Sequence, residues 1–545
     1  MQTLCIAMAQ LSLHVGAIEE KATRIIQLAV SLDGQADAVV FPEMTLTGYP
    51  AEDLLLRMDV HERIESALKM IVEASLDINL DILVGAPVFD QGQMYNALIQ
   101  IRQGAEVKRY YKRCLPNYSV FDEKRYFGPG QQDCLTEIAG VPVALAICED
   151  LWSDEVMAEA VISQAKLMIS TNASPYHLRK QQQRVQVVKE RAQQGNMPLL
   201  YVHWAGAQDD LIFDGCSFVV DATGRLTEQA AAFREDVRIV ELRCGEHDEY
   251  IPYAQALPPV LSEDAEIYQA ITLGLRDYVR KNNFNGVVLG LSGGIDSALS
   301  LAIAVDALGA EAVEAIMLPS EYTSQISLDD ARAQAQMLGV NYHVLPITDS
   351  YQALQQALVP ALGEGRPFGV TDENLQARSR GVLLMAVSNA TGKMLLTTGN
   401  KSEMAVGYAT LYGDMCGGYN ALKDVLKTRV FKLAHYRNTL SLAIPERVIS
   451  RPPSAELAPN QKDEDSLPPY EVLDQIIERY VDYDQSAVDI ISAGFNDVDV
   501  KRILRLIGQN EYKRRQSAPG PRISQRAFTR ERRYPLTSAF DRDLG

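Results

Sequence analysis

Short apolar runs recur along the first half of the chain and are separated by polar or turn-forming residues. Runs of this kind, rich in valine, isoleucine and leucine, are typical of buried β-strands. Longer segments between them, such as 19–32 and 60–74, repeat apolar residues every three or four positions and predict amphipathic helices. This alternation predicts an α/β domain. The predicted strands span residues 3–9, 38–41, 82–86, 141–147, 167–170, 199–203 and 217–220.

The pattern changes around residues 245–262, where proline and acidic residues interrupt the alternation. A helix is predicted to restart after Ser262, whose hydroxyl suits an N-cap. A chain of 545 residues also exceeds what one hydrophobic core usually supports. We therefore predict one domain over residues 1–250, a linker over 251–262 and a second domain over 263–545.

The second half repeats the strand and helix alternation, with an apolar strand-like run that starts at Val287 and ends at the Ser-Gly-Gly of 292–294, and further strand patterns at 314–318 and 394–397. This predicts a doubly wound parallel sheet, in which ligands bind at the carboxyl ends of the strands. Residues 450–470 are rich in proline and charge and lack periodicity. Such a segment is either a lid over a site or a disordered connector, and the connector is the simpler interpretation.

The first of these strands runs into a loop that suits phosphate binding. Its paired glycines let backbone amides approach an anion, Ser292 and Ser297 can donate hydroxyl hydrogen bonds, and Asp296 can hold a divalent cation. A glycine-rich turn that binds nothing is the alternative, but the serine and aspartate chemistry favours ATP. The loop consists of Gly290, Leu291, Ser292, Gly293, Gly294, Ile295, Asp296 and Ser297.

No GxxxxGK[ST] motif surrounds this loop, which argues against a Walker-type kinase or GTPase. The motif SGGIDS resembles the PP-loop of the ATP pyrophosphatase superfamily. That resemblance implies cleavage of ATP to pyrophosphate, with a carboxylate or carbonyl activated as an adenylate for attack by a nitrogen nucleophile. It also implies a doubly wound fold of the adenine nucleotide alpha hydrolase type.

Three strand ends in the first half each carry a residue with useful chemistry. Glu43 follows an apolar strand, Lys112 follows a mixed strand, and Cys148 ends another apolar strand. Taken singly, each is better explained as a solvated turn residue, a surface cation or a small strand-end residue. Together they form a nucleophile site in which Glu43 takes the thiol proton, Cys148 attacks a carbonyl and Lys112 stabilises the oxyanion.

The segments FPEMTLTGYP, YYKRCLPNYSVFDEKRYF and ICEDLW resemble the signatures of the nitrilase, or carbon-nitrogen hydrolase, superfamily. The resemblance implies a four-layer αββα fold that hydrolyses amides or nitriles through a cysteine acyl-enzyme. It places Glu123 as a second acidic residue of the site. In the glutamine-hydrolysing branch, the residues that would hold glutamine are Tyr118, Ser174, Lys180 and Glu123.

The two halves together resemble the glutamine-dependent NAD synthetase family. Its motifs recur in the second half as MLPSEYTS, ENLQARSRG, TTGNKSE and YGDMCGGYNALKD. The resemblance implies that ammonia released from L-glutamine in the first domain converts deamido-NAD to NAD in the second, with ATP cleaved to AMP and diphosphate. Producing ammonia near its acceptor preserves a nucleophile that neutral water would protonate.

The remaining candidate residues follow from this resemblance. Thr398 and the loop 290–297 would contact ATP, while Asn374, Glu403 and Lys513 would lie near deamido-NAD. Asp296 and Glu403 are the candidate ligands of Mg²⁺, which takes one or two carboxylates beside phosphate and water. Lys401 and Arg378 could neutralise phosphate charge, but are equally well explained as helix-surface cations.

The net charge and the cysteines indicate which surfaces and which redox compartment suit this protein. The net charge of −19 argues against a general nucleic-acid or anionic-membrane surface, and no stretch has the apolar length of a membrane span. The first residues predict a β-strand and not a targeting signal. Seven cysteines without CxxC or metal-ligand spacing are typical of a reducing cytoplasm. The family resemblance also implies a homo-oligomer.

Other functions fit these motifs less well. GMP synthetase shares the PP-loop but pairs it with a Gly-x-Cys-x-Gly elbow, which ICEDLW is not. Asparagine synthetase needs an N-terminal cysteine nucleophile, whereas this sequence begins Met1-Gln2. A regulatory nucleotide sensor fused to an inactive nitrilase fold is the alternative from a different class. The presence of Glu43, Lys112 and Cys148 together argues against it.

Overall fold

The computed structural model describes residues 2–12, 14–454, 456–458, 461 and 467–540. The chain divides into two compact units that meet in sequence at Val260 and Leu261. Part of the proline-rich segment predicted at 450–470 lies outside the described residues. Each unit is built around its own β-sheets and its own core.

The first unit contains two larger sheets and a two-stranded hairpin. The seven-stranded sheet has the order β15-β14-β1-β2-β3-β4-β5, the six-stranded sheet has the order β13-β12-β9-β8-β7-β6, and β10 pairs with β11. The strands are β1 Thr3–Gln10, β2 Ala38–Val40, β3 Asp81–Asp90, β4 Gln93–Arg102, β5 Ala105–Tyr111, β6 Leu135–Ile138, β7 Val141–Ile147, β8 Leu167–Asn172, β9 Leu199–His203, β10 Ala205–Gln208, β11 Leu211–Asp214, β12 Phe218–Val220, β13 Leu226–Gln229, β14 Asp236–Cys244 and β15 Tyr250–Pro252.

Side-chain alternation along β1 explains the layering of this unit. Leu4, Ile6 and Met8 lie in the core that the two large sheets share, whereas Ala7 and Ala9 lie in the core beneath the first helices. Because both faces of the strand are covered, it is apolar at nearly every position. The result is the predicted four-layer αββα arrangement. Its helices are α1 Ile18–Leu32, α2 Met58–Ala74, α3 Asp154–Ile162 and α4 Lys180–Gly195.

The second unit is organised around a five-stranded sheet of order β18-β17-β16-β19-β20, in which every neighbouring pair is parallel. The chain moves outward from β16 in one direction through β17 and β18, and then returns to place β19 on the other side. The carboxyl ends of β16 and β19 therefore form a topological switch point, where such sheets bind ligands. The strands are β16 Val287–Gly290, β17 Val313–Met317, β18 Asn341–Val344, β19 Met394–Thr397 and β20 Tyr419–Asn420.

The helices of the second unit cover this sheet and build a separate helical core. The predicted N-cap of its first helix is confirmed, since the Ser262 hydroxyl accepts from the Ala265 amide at 3.3 Å. Leu473, Ile503 and Leu504 lie at the centre of the helical core. The helices are α5 Glu263–Lys281, α6 Ile295–Leu308, α7 Gln325–Leu338, α8 Thr348–Leu362, α9 Val370–Thr391, α10 Lys401–Val406, α11 Lys427–Leu440, α12 Glu446–Ser450, α13 Tyr470–Ile477, α14 Ala487–Ser492, α15 Asp497–Gln509 and α16 Glu511–Arg514.

None of the helices in the described part of the chain has both the length and the apolar character needed to cross a lipid bilayer.

Candidate active sites

The first unit brings the predicted glutamate and lysine into direct contact. The Lys112 Nζ donates to Glu43 Oε1 at 2.7 Å and to Glu123 Oε1 at 2.8 Å. All three side chains are at least 97% buried. An ammonium group between two carboxylates is the arrangement that lets buried charges persist. The phenolic oxygen of Tyr49 donates to the same Glu123 oxygen at 2.9 Å.

Both carboxylate oxygens of Glu43 are held by further donors. The Asn96 side-chain amide donates to Oε1 at 2.8 Å, and the Ala173 backbone amide donates to Oε2 at 2.8 Å. These bonds come from β4 and from the end of β8, so both large sheets fix the carboxylate. A carboxylate held from two directions keeps a fixed orientation.

The backbone around Glu43 is pinned as well. The indole Nε1 of Trp204 donates to the Glu43 carbonyl at 2.9 Å. A Cβ atom at Gly85 would lie 2.5 Å from the Met44 nitrogen, so only glycine allows β3 to approach this loop so closely. The Leu46 amide donates to the Gly85 carbonyl at 3.0 Å, which holds the loop against the strand.

Cys148 opens a tight 3₁₀ turn, Cys148–Trp152, directly after β7. Its φ of 47° lies in the left-handed region, which side chains other than glycine rarely adopt. The buried carboxylate of Asp150 holds this turn, because it accepts from the backbone amide of Ile147 at 3.0 Å and from that of Cys114 at 2.8 Å. The strand end that carries the thiol is therefore tied to the segment that follows Lys112.

Electrostatics couple the thiol to the same cluster. Burial raises the pKa of Cys148 well above its usual value, the Glu43 charge raises it further, and Lys112 opposes both. Burial lowers the pKa of Lys112, but the charges of Glu123 and Glu43 outweigh that effect and leave it raised. Burial also raises the pKa of Glu123 to about 7. The resting thiol is thus protonated beside a carboxylate that can accept its proton.

The predicted glutamine-binding residues Tyr118 and Lys180 contact the turn that carries this thiol, and Ser174 lies beside the segment that binds Glu43. The Tyr118 hydroxyl donates to Glu149, the residue after the thiol, at 2.9 Å. The Lys180 ammonium lies 4.7 Å from the centre of the Trp152 ring, on the same turn. Ser174 is buried at the end of β8, one residue after the amide that binds Glu43.

The phosphate-type loop of the second unit is closed by its own serines. The Ser297 hydroxyl accepts from the Ser292 amide at 3.2 Å and donates to the Gly294 carbonyl at 3.0 Å. Gly293 has a φ of 79°, and a Cβ there would lie 2.4 Å from the Ser327 carbonyl oxygen. The loop follows β16 and leads into α6. Its backbone amides therefore lie at the N-terminal end of a helix, which is a favourable place for an anion.

The two predicted metal-binding carboxylates converge on one lysine. The Lys427 ammonium bonds to Asp296 Oδ2 and lies 3.4 Å from Glu403 Oε1. The Asn400 side chain joins the two loops, since its amide donates to Asp296 Oδ1 at 2.9 Å and its oxygen caps α10 at the Glu403 amide at 3.0 Å. Asp296 and Glu403 therefore share one small region although 107 positions separate them in sequence.

A cleft of about 280 Å³ lies at the carboxyl ends of β16 and β19. Its wall includes Arg380, which donates to the Leu318 carbonyl at 3.0 Å and whose pKa burial lowers to about 10. The predicted residues that line the cleft are Gly290, Leu291, Ser292, Gly294, Ile295, Asp296, Ser297, Thr398 and Glu403.

The described start of the proline-rich segment forms one wall of this cleft. Residues 451–454, 456 and 457 line it. The Glu456 carboxylate accepts from the hydroxyls of Ser324 and Ser327, each at 2.8 Å. The Arg451 guanidinium also reaches the Ser327 hydroxyl at 2.9 Å. This part of the segment is therefore packed on the cleft, which a free connector would not be.

Asn374 and Lys513 do not line the cleft but hold the loop that borders it. The Asn374 oxygen accepts from the Thr410 hydroxyl at 2.8 Å. The Lys513 ammonium donates to the carbonyls of Gly407 and Ala409, both at 2.9 Å. Burial lowers the pKa of Lys513. Residues 408, 409, 413 and 414 of the same loop line the cleft.

Lys401 is neither a surface cation nor a cleft residue. Its ammonium lies 2.9 Å from Asp424 and 2.7 Å from Asp482, and its side chain is 1% exposed. Arg378 donates to the Leu411 carbonyl at 3.2 Å and is exposed. Lys401 thus ties buried segments of the second unit together.

Comparisons with known proteins identify the family. Residues 5–251 match the family model for carbon-nitrogen hydrolases, and residues 267–517 match that for NAD synthase. The curated glutamine-dependent NAD(+) synthetase of Acinetobacter baylyi is 49% identical over 100% of this chain and 100% of its own length. The chain belongs to the glutamine-dependent NAD(+) synthetase family. A second member of that family, from Aquifex aeolicus, is 42% identical over 98% of this chain and 100% of its own.

Solved structures of family members agree with this fold. The glutamine-dependent NAD+ synthetase of Acinetobacter baumannii, solved in complex with ADP, matches with a TM-score of 0.80 and 45% identity over 98% of both chains. A glutamine-dependent NAD(+) synthetase from Cytophaga hutchinsonii matches with a TM-score of 0.84 at 21% identity, covering 100% of this chain and 99% of its own. The latter supports the fold alone.

Sequence reasoning missed several residues of both sites. The TTGNKSE motif holds an Asn-x-x-Glu spacing that could have indicated the capping role of Asn400. Asn96 lies inside a strand and Asp150 lies two residues after Cys148. The local sequence around them does not show that Asn96 is a buried donor and Asp150 a buried acceptor. Nothing in the local sequence distinguishes Lys427 from other lysines of the chain, so only the fold shows that it lies between the two carboxylates.

Proposed function

We propose that this enzyme is a glutamine-hydrolysing NAD(+) synthase. Deamido-NAD, ATP, L-glutamine and water give NAD, AMP, diphosphate and L-glutamate. The observation that carries the proposal is the presence on one chain of a buried thiol, carboxylate and ammonium cluster and of a glycine-rich cleft with two convergent carboxylates. Residues 1–250 form the glutaminase domain and residues 263–545 the synthetase domain.

In the glutaminase domain, Cys148 attacks the side-chain amide carbon of glutamine while Glu43 accepts the thiol proton. Lys112 stabilises the oxyanion that forms. The bond to nitrogen breaks, ammonia leaves with the proton from Glu43, and a thioester remains. Water then cleaves the thioester to glutamate and restores the thiol. Tyr118, Ser174 and Lys180 hold the amino acid, and Glu123 keeps Lys112 in place.

In the synthetase domain, the nicotinate carboxylate of deamido-NAD attacks the α-phosphate of ATP, forming an adenylate and releasing diphosphate. Ammonia then attacks the activated carbonyl carbon and AMP leaves. The loop 290–297 and Thr398 bind ATP, and Asn374, Glu403 and Lys513 bind or frame the deamido-NAD site. The relative from Acinetobacter baumannii was solved in complex with ADP, which supports nucleotide binding by this chain.

Asp296 and Glu403 fit Mg²⁺, because two carboxylates that converge on a cation are the protein share of a site completed by phosphate and water. Within the described residues no cluster of three or more histidine, cysteine or acidic side chains is arranged for a metal. A metal held together with nucleotide needs fewer protein ligands. Magnesium would offset the charge that develops on phosphate oxygens.

The enzyme acts in the cytoplasm as a homo-oligomer, in this proposal. The long helix α9 supports self-association, since it exposes Val370 by 69%, Val382 by 68% and Met385 by 37%. Exposed apolar side chains on one helix favour burial against another protein surface. The acidic net charge of −19 supports small-molecule substrates over nucleic acid.

The test is a complete product assay with deamido-NAD, ATP, Mg²⁺ and glutamine. We expect AMP, diphosphate, glutamate and NAD in equal amounts when ammonia transfer is complete. A nucleotide sensor would bind ATP and release no diphosphate. Glutamate formation without NAD in the presence of all substrates would contradict the proposal.

A further inference from the structure

The carbonyl oxygen of Ser174 is held by two donors from different elements. The Arg184 Nη2 of α4 donates to it at 2.6 Å, and the His203 Nε2 at the end of β9 lies 2.8 Å from it. A carbonyl has two lone pairs, and both are used here. Arg184 is 1% exposed and His203 is fully buried.

The tautomer of His203 follows from its second contact. The Trp204 backbone amide donates to Nδ1 at 2.6 Å, so Nδ1 is the acceptor. Nε2 therefore carries the ring proton and donates to the Ser174 carbonyl. Burial lowers the pKa of His203 well below its usual value, and the Arg184 charge lowers it further. The ring stays neutral and acts as a fixed donor.

Arg184 is in turn oriented by a buried carboxylate. Its Nη1 lies 2.7 Å from Asp214 Oδ1 and 2.8 Å from Oδ2. Because Asp214 ends β11, the guanidinium bridges α4, β11 and the segment after β8. The planar guanidinium donates to the carboxylate and to the carbonyl from two different nitrogens held in a fixed fork, so the two acceptors are fixed relative to each other.

The clamped segment also orients the base. The backbone amide of Ala173, the residue before Ser174, donates to Glu43 Oε2 at 2.8 Å. The Trp204 indole, one residue after His203, donates to the Glu43 carbonyl at 2.9 Å. A shift of the 173–174 segment would therefore move a donor to the base and a glutamine-binding residue together.

We propose that Arg184 and His203 are positioning residues of the glutaminase reaction, acting through the Ser174 carbonyl on both Glu43 and the bound glutamine. This deepens, and rests on, the proposed function. Neither side chain touches the reacting atoms in this role. Their effect is confined to the glutamine-dependent reaction.

Two substitutions at one position separate this role from simple packing. His203→Gln keeps a donor near the Nε2 position and loses the acceptor for Trp204, whereas His203→Asn keeps that acceptor and loses the donor to Ser174. We expect His203→Asn to lower kcat/KM for glutamine about ten- to a hundredfold, with a raised KM and a lowered kcat. His203→Gln should retain most of the activity. Arg184→Lys, which loses one of two donor nitrogens, should raise the KM for glutamine.

The matched control is Thr227→Val, which removes a buried hydroxyl that donates to the Val219 carbonyl at 3.3 Å in the same unit. Thermal unfolding and ammonium-supported NAD synthesis are measured for every variant. We expect the control to lose stability without losing glutaminase activity. Equal losses for His203→Gln and His203→Asn, with an active wild type, would overturn this inference alone. A wild type without glutaminase activity would overturn the proposed function together with it.

Discussion

At the scale of single residues, the Cys148 thiol separates glutamine-dependent from ammonium-supported NAD synthesis. Cys148 serves only the glutaminase reaction in the proposed mechanism, so Cys148→Ala should abolish glutamine-dependent NAD synthesis and leave ammonium-supported synthesis largely intact. NAD formation with each nitrogen source measures this. Cys134→Ala, at a fully buried thiol in the same core, is the matched control and should retain both activities. Loss of both activities in a folded Cys148 variant would contradict the division.

A second prediction concerns Glu123 and the pH dependence of the free energy of unfolding. Burial raises its pKa in the folded protein to about 7 from its usual 4.5. The folded state then binds the proton more tightly than the unfolded state, so the wild-type free energy of unfolding falls as pH rises from about 4.5 to 7. Glu123→Gln removes this pH dependence, so the free energy of unfolding of the variant relative to the wild type should rise by on the order of 2 kcal/mol between pH 5 and pH 8.

Denaturant unfolding of both proteins between pH 5 and pH 8 measures the difference. The stability of the variant relative to the wild type should rise with pH, and the variant should lose glutaminase activity, because Lys112 loses a carboxylate partner. A difference in stability that does not change with pH would contradict the raised pKa.

Candidate site residues can be predicted from the sequence where a polar residue directly follows an apolar strand. Glu43, Lys112 and Cys148 were found in this way, and the structure brings them together. Asn96 and Lys427 were not, because their importance depends on partners 53 and 24 positions away. Long-range partners leave no periodic signal in the chain.

At the scale of elements, the phosphate-type loop depends on one glycine. Gly293→Ala would bring a Cβ to 2.4 Å from the Ser327 carbonyl oxygen and should reduce NAD synthesis with either nitrogen source by about a hundredfold or more. Coupled AMP and diphosphate assays measure the loss. Gly339→Ala is the control, since Gly339 also has a positive φ of 69° but nothing within 4 Å of the added Cβ. It should cost about 1 kcal/mol of stability and little activity.

A second prediction at this scale concerns the cleft wall formed by residues 451–454, 456 and 457. Because Glu456 and Arg451 already contact Ser327 beside the loop, we expect ATP and deamido-NAD to protect the segment 450–470 from proteolysis. Limited digestion with and without both ligands measures this. Equal cleavage rates would show that the segment does not respond to substrate.

Elements with a clear period were predicted well, and those with buried polar residues were not. The predicted helix 19–32 differs from α1 by one residue, and its buried positions repeat every three or four residues. Strand β4 was missed because Asn96 and Gln100 interrupt its apolar pattern. Both are buried and paired, with Glu43 and Asp81, so the interruption is a hydrogen-bonded core and not a loop.

At the scale of the whole molecule, the exposed face of α9 predicts association. Val382→Asp should shift the protein toward smaller species in sedimentation velocity, since a charge at an apolar interface opposes burial. Val488→Asp, at a side chain 70% exposed on α14, is the control and should leave the size distribution unchanged. A monomeric wild type would contradict the proposed oligomer.

The two-part organisation was accessible from sequence because each half carries its own motif set and its own strand pattern. The change of composition near residue 250 predicted a boundary, and the contacts divide the chain at Val260. The order of strands in the sheets was not accessible. It depends on pairings such as Thr3 with Arg243, which lie too far apart in sequence for any local pattern.

The first-unit site straddles a seam. Glu43 and Lys112 extend from strands of one sheet, and Cys148 and Ser174 extend from strands of the other. A shift of one sheet relative to the other would separate Cys148, the proposed nucleophile, from Glu43, the proposed base. The packing of the core between the sheets is therefore expected to affect the proposed reaction. Substitutions at Ile6, Met8 and their apolar neighbours are therefore expected to lower glutaminase activity, although these side chains do not contact the substrate.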